Sequence, residues 1–334
     1  MADRKVKTGL VGAGHLGKIH LKCLQAVPEL DLVGFFEKEE DVALQVSQET
    51  GIQAFSTLYE LLNQVDAVDI VTPTSTHHDI AATAMQLGKH VFIEKPITST
   101  VEQANALADL QKAHGVVVQV GHVERFNPAI LALNGLDINP KFIEVHRLAN
   151  FNPRGTDVSV VLDLMIHDLD IILSMVPSKV KRIMANGVCL VSTTPDIGNA
   201  RIEWENGCVA NVTASRMSFK NMRKMRLFQP DAYIGIDFLD RSAQIVTLHE
   251  GAEGHSGEHL NTFVLETATG KKTVKIQMPE TKAVNAIELE LQSFARAIIN
   301  GTAPEVSLED ARAALVLAHD ISSRIEKNLQ EQLL

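Results

Sequence analysis

The first third of the chain alternates short, mostly apolar segments with longer amphipathic ones. Segments of strand length occur at residues 7–11, 30–36, 67–71, 90–94 and 116–120. Helical periodicity fills the stretches between them. Strands and helices alternating at this spacing form right-handed βαβ units in a parallel sheet. The runs VDIV and VVVQV are apolar at most positions, as expected for strands covered on both faces. We therefore predict a doubly wound α/β domain, a Rossmann fold, over residues 1–122.

The pattern changes after about residue 122. A strand candidate at residues 141–148 precedes a helix, and β-rich segments follow at residues 179–190, 200–216, 224–237, 244–248 and 262–276. One of these contains Asn206-Gly207, a strong hairpin signal. Runs of strands joined by hairpins favour a large, open, mainly antiparallel sheet. Two helices, at residues 284–299 and 308–329, close the chain. We predict that residues 123–334 form an α+β domain for substrate binding and oligomerisation.

Charge and cysteine usage limit the classes of function. The net charge is −10, which argues against nucleic acid or an anionic membrane as the main partner. The three cysteines form no CxxC pair, and no segment has the roughly 20 apolar residues that span a bilayer. These features predict a cytoplasmic protein. Several outward residues of the predicted open sheet are apolar, which predicts a homodimer or homotetramer formed through that face.

A glycine-rich turn follows the first predicted strand and opens the first predicted helix. It reads Gly12-Ala13-Gly14-His15-Leu16-Gly17, a G-x-G-x-x-G pattern. Gly12 permits the tight turn, Gly14 lets the backbone approach a pyrophosphate, and Gly17 lets the helix pack on the sheet. This context predicts a dinucleotide site that includes His15 and Leu16.

Three further features belong to the predicted cofactor site. Glu37 ends the second strand, about 20 residues after the last glycine, where an acid accepts hydrogen bonds from the ribose hydroxyls. It also repels a 2′-phosphate, so we predict NAD rather than NADP. Thr72 and Pro73 follow the fourth strand at the carboxyl edge of the sheet, where ligands bind in open α/β folds. His77 begins the next helix and is a candidate contact to cofactor phosphate or ribose.

Glu94-Lys95-Pro96 follows the strand HVFI at the same edge of the sheet. Glu94 is a further candidate cofactor contact. A lysine ammonium at Lys95 can hydrogen-bond a substrate oxygen, stabilise a developing alkoxide or relay a proton. Pro96 sets the backbone direction, and the Lys95–Pro96 bond is a candidate cis peptide.

The predicted helix over residues 160–173 is apolar except at Asp163, His167, Asp168 and Asp170. Asp163, His167 and Asp170 share one face, whereas Asp168 points elsewhere. Ionisable groups on a buried helix form either a satisfied core network or a catalytic face. The i, i+4 carboxylate–imidazole pair could also ligate zinc. Because no further ligand set has metal spacing, we predict no metal.

These motifs occur in an order that identifies a family. The glycine turn, the acid at Glu37, TP-x-x-x-H ending at His77, EKP around Lys95 and D-x-x-x-H-x-x-D from Asp163 resemble the Gfo/Idh/MocA oxidoreductases over essentially the whole chain. The resemblance implies a Rossmann domain, a second domain with an open sheet, and hydride transfer between a nicotinamide cofactor and a sugar or polyol carbinol. It also implies catalytic roles for Lys95, Asp163 and His167. The chain lacks the glycines that many members have in and before the helix with the aspartate and histidine.

Two segments resemble a narrower branch of the family. GHVERFNPA at residues 121–129 and DVSVVLDLMIHDLD at residues 157–170 resemble enzymes that oxidise the 3-hydroxyl of UDP-N-acetylglucosamine-type sugars. The resemblance implies a nucleotide-sugar substrate with Arg125, Asn127 and Arg154 among the binding residues. A diphosphate needs cations, and a basic cluster comprises Arg216, Lys220, Arg223, Lys224 and Arg226. That cluster is equally a solvated loop or a subunit contact, and Arg125 is equally a buried structural arginine.

The expected mechanism follows from these assignments. A substrate bound through Lys95, Asp163 and His167 loses its hydroxyl proton to either His167 or Lys95, and its hydride goes to NAD. Asp163 binds a neighbouring hydroxyl or orients the histidine. Two alternatives stay open: a free sugar or inositol dehydrogenase of the same family, and a non-enzymatic sensor of cofactor or sugar. A sensor does not need the proton-transfer pair.

Overall fold

A computed structural model describes residues 5–152, 158–251, 261–268 and 270–331. The chain divides into two compact units. Unit 1 comprises Met1–Phe126 and Val284–Val316, and unit 2 comprises Asn127–Ala283 and Leu317–Leu334. This division differs from the predicted one, in which residues 123–334 form a single domain. The difference arises because the late segment Val284–Val316 packs with the N-terminal part of the chain.

Unit 1 contains a parallel six-stranded sheet with the order β3-β2-β1-β4-β5-β6 among its described residues. The strands are Val6–Val11, Leu30–Phe36, Ala54–Phe55, Ala67–Ile70, His90–Glu94 and Val118–Gly121. Helices α1 to α5 are His15–Ala26, Glu40–Thr50, Leu58–Leu62, Thr74–Gln86 and Val101–His114. The strand order reverses direction beside β1, which creates the crevice where doubly wound folds bind ligands. The predicted Rossmann fold is confirmed.

Helix α8 (Ala286–Asn300) explains why the late segment belongs to unit 1. Its Phe294 is fully buried and meets Phe92 edge-on, with ring centroids 5.9 Å apart. Its Arg296 donates a hydrogen bond of 2.9 Å to Glu29, just before β2. Apolar burial, which dominates folding stability, therefore attaches this helix to the first sheet.

Unit 2 contains a nine-stranded sheet with the order β14-β15-β13-β12-β11-β7-β10-β9-β8 among its described residues. The strands β7 to β15 are Phe142–Leu148, Val180–Val188, Ile197–Trp204, Val209–Ser215, Met222–Gln229, Ala232–Asp237, Ser242–Glu250, Thr262–Thr267 and Gly270–Gln277. Only the β7–β10 pair is parallel among these described pairs. The predicted mainly antiparallel sheet is confirmed. The predicted hairpin joins β9 to β10, with Gly207 at φ 83°.

The remaining helical elements differ in detail from the prediction. The segment expected to be one helix over residues 160–173 begins as a π-helix, Val161–Met165, and continues as α7, Ile166–Met175. A short α6 (Pro128–Leu131) was not predicted, and a 3-10 turn, Val123–Phe126, precedes it. Helix α9 is Leu308–Glu331. Within the described part of the chain, no helix combines the length and apolar character needed to cross a bilayer.

Candidate active site

The glycine-rich turn between β1 and α1 has the geometry of a dinucleotide site. Gly12 has φ +95°, and a Cβ there would lie 2.7 Å from the Val71 carbonyl oxygen. A Cβ on Gly17 would overlap the Gly12 carbonyl oxygen, so only glycine lets α1 start this close to β1. A Cβ on Gly14 would meet nothing within 4 Å. The first turn of α1 therefore faces open space, which fits a pyrophosphate on the helix N-terminus.

Glu37 lies beside this turn and is fixed by the backbone. The Ala13 N–H donates to Glu37 Oε2 at 2.7 Å, and the Glu39 N–H donates to Oε1 at 3.1 Å. The structure thus brings the predicted ribose acid to the glycine turn, although 24 residues separate it from Ala13. His15 and Leu16, at the start of α1, are exposed.

Lys95 follows β5 and is half-buried. Its backbone N–H donates to Glu94 Oε2 at 3.0 Å, and its bond to Pro96 is cis, as the sequence suggested. The other oxygen of Glu94 lies 3.2 Å from His20 Nε2, so the Glu94 carboxylate turns into the unit. This inward position differs from the predicted cofactor contact.

His77 also differs from its predicted role. It is 1% exposed, and its two ring nitrogens face backbone carbonyl oxygens, Nε2 to Thr72 at 2.8 Å and Nδ1 to Pro96 at 3.0 Å. Burial lowers the pKa of the imidazole. His77 therefore braces the turn at Thr72 against Pro96, whereas Thr72 itself is half-buried and Pro73 is exposed at the start of α4.

Four ionisable residues that were not predicted as a group meet inside unit 1. We call His20, Asp69, Glu94 and Glu290 the His20 cluster. His20 Nδ1 lies 2.8 Å from Asp69 Oδ2, and both side chains are fully buried. Burial alone would lower the pKa of His20, but Asp69 and Glu94 together raise it to about 11.

Two carboxyl groups of the cluster, those of Asp69 and Glu290, have raised pKa values. Burial raises the pKa of Asp69, although His20 opposes the shift. Burial also raises the pKa of Glu290 well above its usual value, and the charge of Glu94 adds to the effect. Two signals in the sequence point to these groups. Asp69 is polar within the buried strand AVDI, and Glu290 shares the apolar face of α8 with Phe294 and Ala297.

The helix with the predicted catalytic face lies in unit 2. Asp163, in the π-helix, and His167, in α7, are half-buried, whereas Asp168 and Asp170 are buried. Asp168 accepts two hydrogen bonds from Arg147 on β7, from Nε at 2.7 Å and from Nη2 at 2.8 Å. The Arg147 guanidinium also lies 5.7 Å from the centre of the Phe238 ring. A bidentate pair of this kind fixes orientation, so Arg147 holds the helix that presents His167.

Several predicted substrate residues have structural roles or lie elsewhere. Asn127 is 8% exposed and caps α6, because its Oδ1 accepts from the Ala129 N–H at 3.0 Å. Its Nδ2 donates to the Phe238 carbonyl oxygen, so the amide is engaged at both ends instead of facing a substrate. Arg125, in the 3-10 turn of unit 1, is half-buried. Arg154 lies outside the described residues.

Arg216 is a buried anchor, neither a diphosphate ligand nor a solvated residue. It is 5% exposed, and its Nε lies 3.4 Å from Asp196 Oδ1. Burial would raise the pKa of Asp196, but hydrogen bonds from Ser192 and from the N–H groups of Leu190 and Val191 hold it at about 2. Lys224 and Arg226 pair with neighbouring carboxylates on the sheet.

The fold and the glycine turn define a dinucleotide-binding protein, and comparison with known proteins gives the family. A model of the oxidoreductase family with an NAD-binding Rossmann fold matches residues 6–122, and a model of the GFO/IDH/MocA C-terminal domain matches residues 143–230. The chain belongs to the Gfo/Idh/MocA oxidoreductase family, and the predicted resemblance is confirmed.

Three comparisons show the range of relatives. The chain is 37% identical to the UDP-N-acetylglucosamine 3-dehydrogenase of Acidithiobacillus ferrooxidans over 294 residues, 88% of each chain. A solved structure of that enzyme matches with a TM-score of 0.86 and 33% identity, covering 97% of this chain and 98% of the other. The scyllo-inositol 2-dehydrogenase (NAD(+)) of Bacillus subtilis is 29% identical, with 99% and 97% covered.

The Asp196 anchor predicts a pH-dependent stability. Asp196→Asn should lower the free energy of unfolding at pH 7 by about 1–3 kcal/mol, because the neutral amide loses the charge-assisted hydrogen bonds from the Leu190, Val191 and Ser192 N–H groups and the pairing with Arg216. The folded pKa of about 2 lies below the usual 3.8. The stabilisation is therefore present above about pH 4 and lost as the pH falls towards 2. Urea unfolding followed by circular dichroism at several pH values measures the difference.

A matched control is Asp231→Asn, at an exposed carboxylate of the same unit. It should change the free energy of unfolding by less than about 0.5 kcal/mol. Equal stabilities of the Asp196→Asn variant and the wild type at pH 7 would contradict the role of Asp196.

Proposed function

We propose that this protein is an NAD-dependent dehydrogenase that oxidises a CH–OH group of a nucleotide sugar of the UDP-N-acetylhexosamine type. The observation that carries the proposal is the position of Lys95, Asp163 and His167. Each is a half-buried ionisable residue: Lys95 directly follows the strand β5, and Asp163 and His167 lie on a mostly apolar helical segment, where proton-transfer groups are useful. The UDP-N-acetylglucosamine 3-dehydrogenase with 37% identity supports the substrate class.

The residues divide the chemistry between them. A bound nicotinamide supplies the acceptor for the hydride that leaves the carbinol carbon. His167 takes the hydroxyl proton, since an imidazole titrates near operating pH. The Lys95 ammonium donates a hydrogen bond to the same oxygen and stabilises its negative charge as the proton leaves. Asp163, one helical turn before His167, accepts a hydrogen bond from a neighbouring hydroxyl and orients the sugar.

The cofactor side of the proposal rests on Glu37. Its carboxylate is held at the glycine turn by the Ala13 N–H. There it accepts hydrogen bonds from ribose hydroxyls and repels a 2′-phosphate, which favours NAD over NADP.

We infer that the protein works as a homodimer or homotetramer formed through the outward face of the unit 2 sheet. That face carries a row of aromatic rings, with Phe228 lying 5.9 Å from Phe142 and 5.3 Å from Tyr233 between ring centroids. Phe228 is 37% exposed, and apolar rows of this kind mark subunit contacts. Sedimentation velocity should therefore give a mass of two or four chains, not one.

A substrate screen tests the proposed function. Purified protein with NAD is offered UDP-N-acetylglucosamine, other UDP-sugars, free sugars, inositols and polyols, and NADH absorbance is followed. We expect reduction with UDP-N-acetylhexosamines. Activity on free sugars or inositols alone favours the alternative that the inositol dehydrogenase relative represents. No hydride transfer with any of these compounds favours a sensor and contradicts the enzyme assignment.

The same assay tests the proton-transfer residues. Lys95→Ala and His167→Ala should each lower kcat about 10²–10⁴-fold, because each removes a group that acts on the reacting oxygen. The affinity for NAD, measured by calorimetry, should stay nearly unchanged. Lys327→Ala and His249→Ala, at exposed positions of α9 and β13, are the matched controls. Both active-site variants retaining most of their activity on the best substrate would refute the assignment.

The cofactor preference has its own test. Glu37→Gln removes the negative charge but keeps the shape, so the ratio of kcat/KM with NAD to that with NADP should fall about 10–100-fold. Glu39→Gln, two residues away and exposed, should leave the ratio unchanged. A wild-type enzyme that prefers NADP would contradict the role given to Glu37.

A further inference from the structure

The His20 cluster joins three elements of unit 1 at one point. His20 lies on α1, Glu94 ends β5, and Glu290 lies on α8. One donor atom from each lies within 4.8 Å of the other two. His20 and Glu290 are fully buried. This is a set of one nitrogen and two oxygen donors converging in the interior.

Glu290 is the group that points to a ligand. It is 0% exposed, and neither of its carboxylate oxygens has a hydrogen-bond partner among the described residues. A buried carboxylate without partners is costly. A proton on Glu290 does not remove the cost, because the resulting O–H would itself need an acceptor. The orphaned oxygens therefore call for an additional positive partner next to His20 and Glu94.

The distance between His20 and Glu94 is close to that of two zinc ligands. His20 Nε2 and Glu94 Oε1 lie 3.2 Å apart. Two ligands of a tetrahedral zinc ion, at bond lengths of about 2.0–2.2 Å, are separated by about 3.3–3.6 Å. The donor set of one imidazole and two carboxylates fits zinc, whereas magnesium and calcium prefer oxygen alone.

Asp69 contacts the histidine ligand and would not bind the ion itself. Its Oδ2 lies 2.8 Å from His20 Nδ1. Zinc-bound histidines usually donate their second ring N–H to a carboxylate, which fixes the tautomer and turns the other nitrogen to the metal. Here that arrangement turns Nε2 towards Glu94. Gln119 Oε1 is a further buried oxygen without a partner, and its amide donates to the Glu290 carbonyl oxygen at 2.7 Å.

Charge supports the same ion. In the metal-bound form the imidazole is neutral, so Asp69, Glu94 and Glu290 would leave three negative charges in an interior where isolated charges are unstable. A divalent cation cancels two of them. It replaces the proton that otherwise occupies Nε2 of His20, since metal and proton compete for the same lone pair.

We propose that His20, Glu94 and Glu290 bind one zinc ion that ties α1, β5 and α8 together as a structural site. The ion does not take part in hydride transfer. Because the Glu94 carboxylate also accepts the Lys95 N–H, the site steadies the backbone from which Lys95 projects.

Metal content tests the proposal without any assay of activity. Tag-free wild type, Glu290→Gln and Glu288→Gln are purified from zinc-supplemented culture, and zinc is measured by plasma mass spectrometry. Glu288 lies on the same helix outside the cluster, so its variant is the matched control. We expect about one zinc per chain in the wild type and the control, and at least tenfold less in Glu290→Gln. The same zinc content in all three proteins, or only traces in the wild type, would overturn the site.

Thermal unfolding gives a second readout that uses the wild type alone. Protein from zinc-limited culture should melt at a lower temperature than protein from zinc-supplemented culture, because the ion binds only the folded chain. Glu290→Gln should melt at one temperature regardless of the medium. If the wild type also melts at one temperature, protons or water occupy the cluster and the zinc site is wrong. This result does not depend on which sugar the enzyme oxidises.

Discussion

Unit 1 depends on the charge balance around His20. Asp69 and Glu94 belong to neighbouring strands, since β4 pairs with β5 in parallel. Their carboxylates would repel each other inside the sheet without the imidazole that both contact. Removing one member of such a buried group leaves an uncompensated charge, which typically costs about 3–5 kcal/mol. Glu94 also accepts a hydrogen bond from the Lys95 N–H. A change in the charges around His20 that moved Glu94 would therefore also move the backbone of the candidate catalytic lysine.

Unit 2 also contains a buried carboxylate, but there an arginine, not a histidine, balances its charge. The buried Asp168 is matched by a bidentate arginine, Arg147, and this pair lies one residue from His167. The preceding turn, Val161–Met165, is a π-helix, a rare geometry that is frequent at functional sites. The wider turn changes where Asp163 projects relative to His167, and the Arg147 pair fixes the helix that follows. Asp163 therefore lies on a π-helical turn, and His167 lies on the helix that the Arg147 pair fixes.

Local patterns predicted the elements well. The glycine turn, Glu37 and the cis bond before Pro96 were predictable because each depends on residues adjacent in the chain or on a fixed motif spacing. The two strands within residues 224–237 were predicted only as one β-rich segment, since the turn at residues 230–231 lacks a strong glycine signal. The π-helix was missed because its apolar pattern is the same as that of an α-helix.

Contacts between distant segments were the part that sequence patterns could not supply. The bracing role of His77 depends on Pro96, and the burial of Arg216 depends on Asp196 across a loop. The membership of α8 in unit 1 depends on Phe294 meeting Phe92, about 200 residues earlier. Amphipathic periodicity shows that α8 has an apolar face, but it does not say which sheet that face covers.

The return of Val284–Val316 to unit 1 has a consequence for synthesis on the ribosome. The N-terminal sheet emerges first, yet α8 follows only after about 160 further residues, which takes roughly 10–30 s at 5–20 residues per second. During that interval Phe92 and the apolar faces beside it have no covering helix, and Asp69 and Glu94 face His20 without Glu290. The first unit is thus incomplete while it is being synthesised, and exposed apolar surface of this kind is what chaperones shield during synthesis.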